Sequence, residues 1–361
     1  MSSPLSGGTL LVTGGAGFVG ANLACALRRR HPDLAVTALD NLHRRGSELN
    51  LPRLRAAGVR FVHGDIRNPE DLDAAGVFDV VIECSAEPAV LAGYGADSRY
   101  LINTNLVGAL NCIAHAATHR SALVFLSTSR VYPIDPLNAL AWTEAPTRYE
   151  LAPAPGTRGA SAAGIDVDFP LDGHRSLYGT TKLCAELVIA EYVAAKGLRA
   201  VINRCGVIAG PWQMGKVDQG VVSHWLMAHR FGRPLGYIGY EGSGKQARDV
   251  LHVDDLAELI ELQVASIDRV SGETFNVGGG LDNTVSLLEL TALCREITGR
   301  RLDLRADPQT RPGDLRFFIT DNRRVTERLG WRPRRGVRQL LTEIDAWIGD
   351  HSSVLEQTLL S

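Results

Sequence analysis

Tyr178 and Lys182 stand four residues apart in a stretch, Tyr178–Ala195, whose apolar residues recur with helical spacing. On a helix that interval puts the phenol and the ammonium on one face. A free phenol ionises at about pH 10 and is a weak base at neutrality, but a neighbouring cation favours the phenolate. Thr128 follows the apolar run Ala122–Ser127 and adds a hydroxyl that can share a proton with the phenol and with a substrate oxygen. Three such groups around one carbinol suit removal of its hydroxyl proton while hydride leaves the same carbon. The hydride needs an acceptor. Thr13-Gly14-Gly15-Ala16-Gly17-Phe18-Val19-Gly20 follows one strand and opens a helix. In that context glycines let the backbone close on a dinucleotide pyrophosphate at the positive helix end.

Asp40 ends the second strand, twenty residues after Gly20. Its carboxylate can accept hydrogen bonds from ribose hydroxyls and would repel a 2′-phosphate, so NAD is favoured over NADP. Arg44 and Arg45 lie close enough to host such a phosphate instead. Asp65-Ile66 ends the third strand, where the adenine would lie; Asp65 could equally cap a helix. Each of these signals alone has a plain alternative, such as a surface ion pair or a Gly-rich turn without a ligand. Their combination points to hydride chemistry on an alcohol.

Elements of one kind must position these groups. Short apolar runs at Thr9–Thr13, Ala35–Leu39, Val59–His63, Val77–Cys84, Ala122–Ser127 and Arg199–Asn203 alternate with helical patterns at Phe18–Arg30, Leu101–Ala117 and Tyr178–Ala195. Continuous apolar strands separated by helices predict an α/β fold: a Rossmann-like, doubly wound parallel sheet covered on both faces. Residues 1–203 are expected to form this domain. Residues 204–361 are expected to form mainly a smaller, interleaved substrate lobe, with segments around 248–276 returning to the first domain. The Pro-, Ala- and Gly-rich stretch 133–175 breaks the rhythm and reads as a functional or mobile insertion. Its Arg148-Tyr149, Asp166, Asp168, Asp172 and His174 could close over a sugar.

Composition excludes several classes. The 361 residues carry 38 Lys and Arg against 40 Asp and Glu, so there is no basic footprint for nucleic acid and no polybasic membrane anchor. The run Leu10–Leu27 is interrupted by Gly14, Gly15, Gly17, Gly20 and Asn22, which argues against a signal peptide or a membrane span. Six cysteines without a C-x-x-C spacing read as buried apolar residues in a reducing compartment, with neither a disulfide framework nor a metal site. A cytoplasmic location is the default expectation.

The Gly-rich start, Gly64-Asp65-Ile66-Arg67-Asn68, Ser127-Thr128-Ser129-Arg130-Val131-Tyr132, Tyr178…Lys182, Gln246–Asp255, Asn276-Val277-Gly278-Gly279 and Arg311–Arg316 together resemble the extended short-chain dehydrogenase/reductase superfamily. Within it, Asp40-Asn41-Leu42, Arg44, Gly46-Ser47-Glu48, Asn50-Leu51, Thr147-Arg148-Tyr149, Asp218-Gln219-Gly220 and Gly244-Lys245-Gln246 resemble the CDP-paratose/CDP-tyvelose 2-epimerases. The chain departs from the pattern at Glu83, where a His is usual, at Trp212, where an Arg is usual, and at Val207, where an Asn is frequent. The resemblance implies tightly held NAD, a nucleotide-diphospho-sugar substrate, a homodimer and epimerisation through a transient keto sugar. Tyr178 would be the base, Lys182 its partner and a ligand of the nicotinamide ribose, and Thr128 the group that positions the hydroxyl. It further implies cofactor contacts at Gly14, Gly17, Phe18, Val19, Asp40, Asn41, Arg44, Asp65, Ile66, Ser85, Ala86 and Asn105. Substrate contacts are implied at Glu87, Arg130, Arg148, Gln219, Arg248, Arg311, Asp314 and Arg316, with Arg248 on the diphosphate. The 4,6-dehydratases that resemble this chain follow the strand-end Thr with Asp-Glu. Ser129-Arg130 cannot replace that acid–base pair, because a guanidinium does not exchange protons near neutrality. A 4-epimerase, a C4-oxidising decarboxylase or dehydrogenase, and a non-catalytic NAD sensor are the alternatives.

Overall fold

The computed structural model describes residues 5–94, 97–215 and 220–360. Seven strands form one parallel sheet: β1 (Thr9–Thr13), β2 (Ala35–Asp40), β3 (Arg60–His63), β4 (Val80–Glu83), β5 (Ala122–Thr128), β6 (Ala200–Cys205) and β7 (Thr274–Val277). Their order is β7-β6-β5-β4-β1-β2-β3. The chain thus reverses direction across the sheet beside β1, and ligands of such sheets bind outside the strand ends at that point. Side-chain alternation along the strands supplies both faces. On one face Leu10, Val12 and Val124 pack with Leu23 and Leu27 of α1 (Phe18–Arg30) and with residues of a helix at Val253–Ala265. On the other, Leu11, Val81, Leu123 and Phe125 pack with Cys112 and Ile113 of α2 (Ala109–His119) and with Ala185 and Ile189 of α3 (Leu177–Lys196).

The expected helix over 101–117 starts earlier, at Arg99, and widens into a π-turn over Asn103–Gly108 before continuing as α2. Such turns often mark functional sites. Here it carries Asn105, whose amide clamps the loop after β4, accepting from the Glu87 N–H at 2.7 Å and donating to the Glu87 carbonyl at 3.0 Å.

A smaller sheet joins Val207–Ala209, Ala247–His252, Thr284–Ser286 and Phe317–Phe318. Around Val250 and Val285 of this sheet, helices Val221–Phe231, Leu287–Thr298 and Val337–Asp350 bury a separate core of Trp225, Leu226, Leu290, Leu341 and Trp347. The stretch 133–175 folds into a short helix, Ile134–Asn138, and two small hairpins. Tyr149, Ile165 and Phe169 from it are buried against Leu315, Phe317 and Phe318. Among the described residues no helix is long and apolar enough to cross a membrane.

Candidate active site

Two glycines fix the site's geometry by close approach. A Cβ at Gly20 would stand 2.2 Å from the Gly14 carbonyl oxygen, and one at Gly179 would stand 1.9 Å from the Arg130 carbonyl oxygen. Neither position admits another residue without moving backbone. The first seats α1 on the Gly-rich turn; the second presses the start of α3 against the segment that follows β5. Ser176 caps α3 by accepting from the Gly179 N–H at 3.2 Å. Tyr178 is thereby brought beside Thr128, with which its phenol shares a hydrogen bond. Thr128 Oγ1 also accepts from the Arg130 N–H at 3.2 Å. That acceptance leaves its own proton free for the phenol oxygen.

Two cavities meet at this point. One, of ≈ 250 Å³, is bounded by Gly14, Gly17, Phe18, Val19, Gly20, Arg44, Arg45 and Ala86, and reaches Lys182. The other, of ≈ 650 Å³, is bounded by Arg130, Arg248, Arg311 and Asp314. Thr128, Tyr178, Gly206, Ile208 and Gln213 border both. The Gly-rich end of the first cavity suits the pyrophosphate of a dinucleotide. No side chain caps the N-terminus of α1 at Gly17, so its first-turn N–H groups remain available for a pyrophosphate.

The remaining expected cofactor contacts are placed around that cavity rather than on its wall. Asp40 Oδ2 accepts from the Ala16 N–H at 3.0 Å and Oδ1 from the Leu42 N–H at 2.8 Å. Burial pushes the Asp40 carboxyl up, and these backbone donors pull it partly back. Asn41 donates to Asp65 Oδ2 at 2.9 Å, and Arg67 Nε contacts both Asp65 oxygens at 2.9 and 3.0 Å. Burial alone would raise Asp65, but Arg67 and Asn41 hold it down at about 2. Asp65 is thus committed to Arg67. Ile66 is buried beneath Gly108, and Ser85 and Glu87 lie in the loop held by Asn105.

On the substrate side, Arg130 Nη1 donates to the Gly313 carbonyl at 2.9 Å. Arg248 Nη2 reaches Asp314 Oδ1 at 3.0 Å and the Leu315 carbonyl at 2.7 Å. Burial, and then Arg248 nearby, lower Arg130 to about 10, which still leaves it charged at neutrality. Three guanidiniums on one wall suit a diphosphate. Two expected contacts lie elsewhere. Arg316 sits in a cage of Trp142, Tyr240 and Tyr149, with ring centroids 4.3, 5.2 and 5.6 Å away. Arg148 is spent on Glu289 Oε1 at 2.9 Å and the Thr284 carbonyl at 3.2 Å. Gln219 lies outside the described residues. No residue of 133–175 lines either cavity, and its apolar residues turn inward to a core of their own.

Without cofactor, burial raises the Tyr178 phenol, and the opposing pull of Lys182 and the Thr128 hydrogen bond does not compensate. Burial of the phenol is the first cause, and Lys182 pulls the other way while its Nζ also lies 3.2 Å from Glu83 Oε2. The ammonium thus faces a buried carboxylate at a position that the sequence marks only as a departure from the family pattern. Also unforeseen is a network beneath Thr128. Ser127 Oγ donates to Glu186, Arg204 contacts Glu186 Oε2 at 2.7 Å, and the Tyr132 hydroxyl donates to Asn276 at 2.7 Å. No short motif announces it, since its members are scattered from 127 to 276. Two His–carboxylate clusters, Asp73–His115–His119 and His252–Asp254–Glu343, lie away from both cavities.

A doubly wound sheet, a Gly-rich turn at its reversal and a Tyr–Lys–Thr cluster at the strand ends define a dinucleotide-dependent enzyme of the short-chain dehydrogenase/reductase type. The chain belongs to the NAD dependent epimerase/dehydratase family, whose model matches residues 10–278. It is 32% identical over 351 residues to a CDP-paratose 2-epimerase of Salmonella typhi, covering 94% of this chain and 98% of that one. It is 29% identical to a dTDP-glucose 4,6-dehydratase of Streptomyces griseus, over 95% of each chain. A UDP-glucuronic acid 4-epimerase of Bacillus cereus, solved with UDP-glucuronic acid and NAD, superposes with a TM-score of 0.76 at 21% identity, covering 95% of this chain and 99% of that one. NAD is the cofactor of this family and of this chain.

Proposed function

We propose that the protein is a nucleotide-sugar epimerase that inverts carbon 2 of a CDP-hexose of the paratose/tyvelose type. The observation that carries this reading is the Tyr178–Thr128–Lys182 cluster, which stands where the cofactor cavity opens onto the arginine-lined one. NAD, when bound, supplies reversible hydride exchange. Tyr178 removes the proton of the sugar hydroxyl and returns it when the carbinol is re-formed. Thr128 donates to the phenolate and Lys182 stabilises it by charge. Arg130, Arg248 and Arg311 hold the diphosphate, leaving the sugar ring free to present its other face. Hydride is returned within each turnover, so no net redox accumulates. Ser129-Arg130 lacks a proton donor and acceptor for water loss, which separates this chain from the dehydratases it resembles. Carbon 2 rests on the similarity to the paratose enzyme, the stronger of the two sequence relatives above. The reading includes a homodimer packed through α2 and α3. It is supported by the exposure of Leu187 on α3 and of Val107 in the π-turn preceding α2.

The test is proton NMR of the purified protein with CDP-, UDP-, GDP- and ADP-sugars, with NADH absorbance followed in parallel. The expected result is interconversion of two CDP-sugars that differ only at carbon 2, without net NADH. Inversion at carbon 4, release of carbon dioxide or accumulation of NADH would replace this reading. No turnover of any sugar would favour a sensor.

A further inference from the structure

Lys182 faces more than the phenol. Its Nζ lies 3.2 Å from Glu83 Oε2 and 4.2 Å from the centroid of the Phe125 ring. Both charged side chains are at most 2% exposed. Glu83 ends β4, paired in register with Thr13, and lines neither cavity, so substrate does not reach its carboxylate. Its Oε1 is buried with no hydrogen-bond partner. The groups that face this cluster come from every element packed on it. They are Cys84 beside Glu83, Cys112 from α2, Cys205 from β6, Lys182 and Tyr178 from α3, and Arg130 from the segment after β5. Burial holds all three thiols up, at about 12 for Cys205, so they stay neutral. Glu83 is the carboxylate of the cluster: burial pushes it up, and the charge and hydrogen bond of Lys182 and the Ser85 backbone pull it partly back.

We propose that Glu83 is a positioning residue that sets the acidity of the Tyr178 base. Its carboxylate anchors Lys182 Nζ and adds the negative charge against which the phenol must ionise. This rests on the reading of Tyr178 as the base. The physical consequence has one sign. A nearby negative charge disfavours loss of a proton from any neighbouring group. Without it, the Tyr178–Lys182 unit releases its first proton at lower pH, whichever of the two gives it up. With Glu83 in place the phenol keeps its proton in the empty site, and positive charge entering the cofactor cavity draws it off. Glu83 thus ties the readiness of the base to the occupancy of that cavity.

The experiment is a pH titration of phenolate ultraviolet absorbance in cofactor-stripped protein, each form measured against its Tyr178→Phe counterpart. Glu83→Gln is expected to move the Tyr178-dependent step down by about one pH unit or more, and Glu83→Asp to move it less. The acid limb of kcat/KM should move in the same direction in the loaded enzyme. A folded Glu83→Gln protein whose Tyr178 step stays within about 0.3 unit of the original overturns the proposal. If Glu83→Gln does not fold, it is combined with Lys182→Met. The pairing predicts that the melting temperature recovers, because removing both charges strands neither. Failure to recover overturns it. The titration needs no turnover, so the two readings fail separately. A shifted step in a protein that turns over no sugar sinks only the epimerase reading. An unmoved step in an active epimerase sinks only the role of Glu83.

Discussion

Two buried ion pairs hang from α3 one turn apart, and they are built to opposite rules. Glu186 accepts from Arg204 Nη2 at 2.7 Å and Nε at 3.0 Å, and from Ser127 Oγ. Arg204 Nη1 goes on to the Tyr132 hydroxyl at 3.2 Å. Every member has partners on several sides. Burial works against the Arg204 charge, yet Glu186 and Tyr132 outweigh it and hold its proton more tightly than usual. Lys182 and Glu83, by contrast, share one contact; the Ser85 backbone adds a hydrogen bond to the carboxylate, and its Oε1 has no hydrogen-bond partner. A saturated pair has its field cancelled locally and serves to lock β5, β6 and α3 together beneath Thr128. The Lys182–Glu83 pair is less fully compensated, and its lysine reaches the cavity beside Tyr178. Buried charge is costly in either form. What differs is whether that cost secures geometry or reactivity.

The contrast can be broken at four places, from the largest effect down. Tyr178→Phe should lower kcat by about 10²–10⁴-fold in initial-rate assays while leaving the urea midpoint in place. A loss smaller than tenfold would remove Tyr178 as the base. Glu186→Gln, in the saturated pair, should cost about 3–5 kcal/mol in urea unfolding because it strands Arg204. Glu83→Gln should cost less, and a reversal of that order would sink the distinction between the pairs.

Arg248→Ala, on the cavity wall, should raise KM by about ten- to a hundredfold with a smaller change in kcat, from loss of charge-assisted hydrogen bonds worth roughly 1.5–3 kcal/mol. An unchanged KM would remove the diphosphate from that wall. Asp65 is the near-surface counterpart of both pairs. Its folded value of about 2 lies below the ordinary carboxylate range, so its stabilisation is present above about pH 4 and is lost as pH falls towards 2. Solvent screening limits it to about 1 kcal/mol or less. Asp65→Asn should therefore narrow the stability gap to the parent protein as pH drops through that window, measured by thermal melts. A gap independent of pH would show that the Arg67 contact does not act through charge.

The strands and helices were legible because burial on both faces of a parallel sheet writes itself as continuous apolar runs. β1 and α1 fall at the residues expected, Thr9–Thr13 and Phe18–Arg30. The same signal misled at 133–175. Its Pro- and Gly-rich composition reads as a functional or mobile insertion and hides that Tyr149, Ile165 and Phe169, too sparse to show a period, are buried there. Arg316 and Arg148 were placed in the substrate site by motif, but an aromatic cage and Glu289 respectively hold them away from the cavities. Charge and motif identify which side chains can bind a phosphate; only the neighbours they meet decide which are free to do so.

By itself the sequence determined the chemistry available: a phenol and an ammonium on one helical face, a hydroxyl at a strand end, and a Gly-rich turn for a dinucleotide. These follow from spacing within single elements, where local geometry fixes which residues share a face. The tertiary structure decided the electrostatic setting of that chemistry. Glu83 and Lys182 lie 99 residues apart and meet only because β4 ends beside α3. The groups around Tyr178 are likewise a matter of the fold, because Lys182, Thr128, Cys205 and Arg130 reach the buried phenol from different elements.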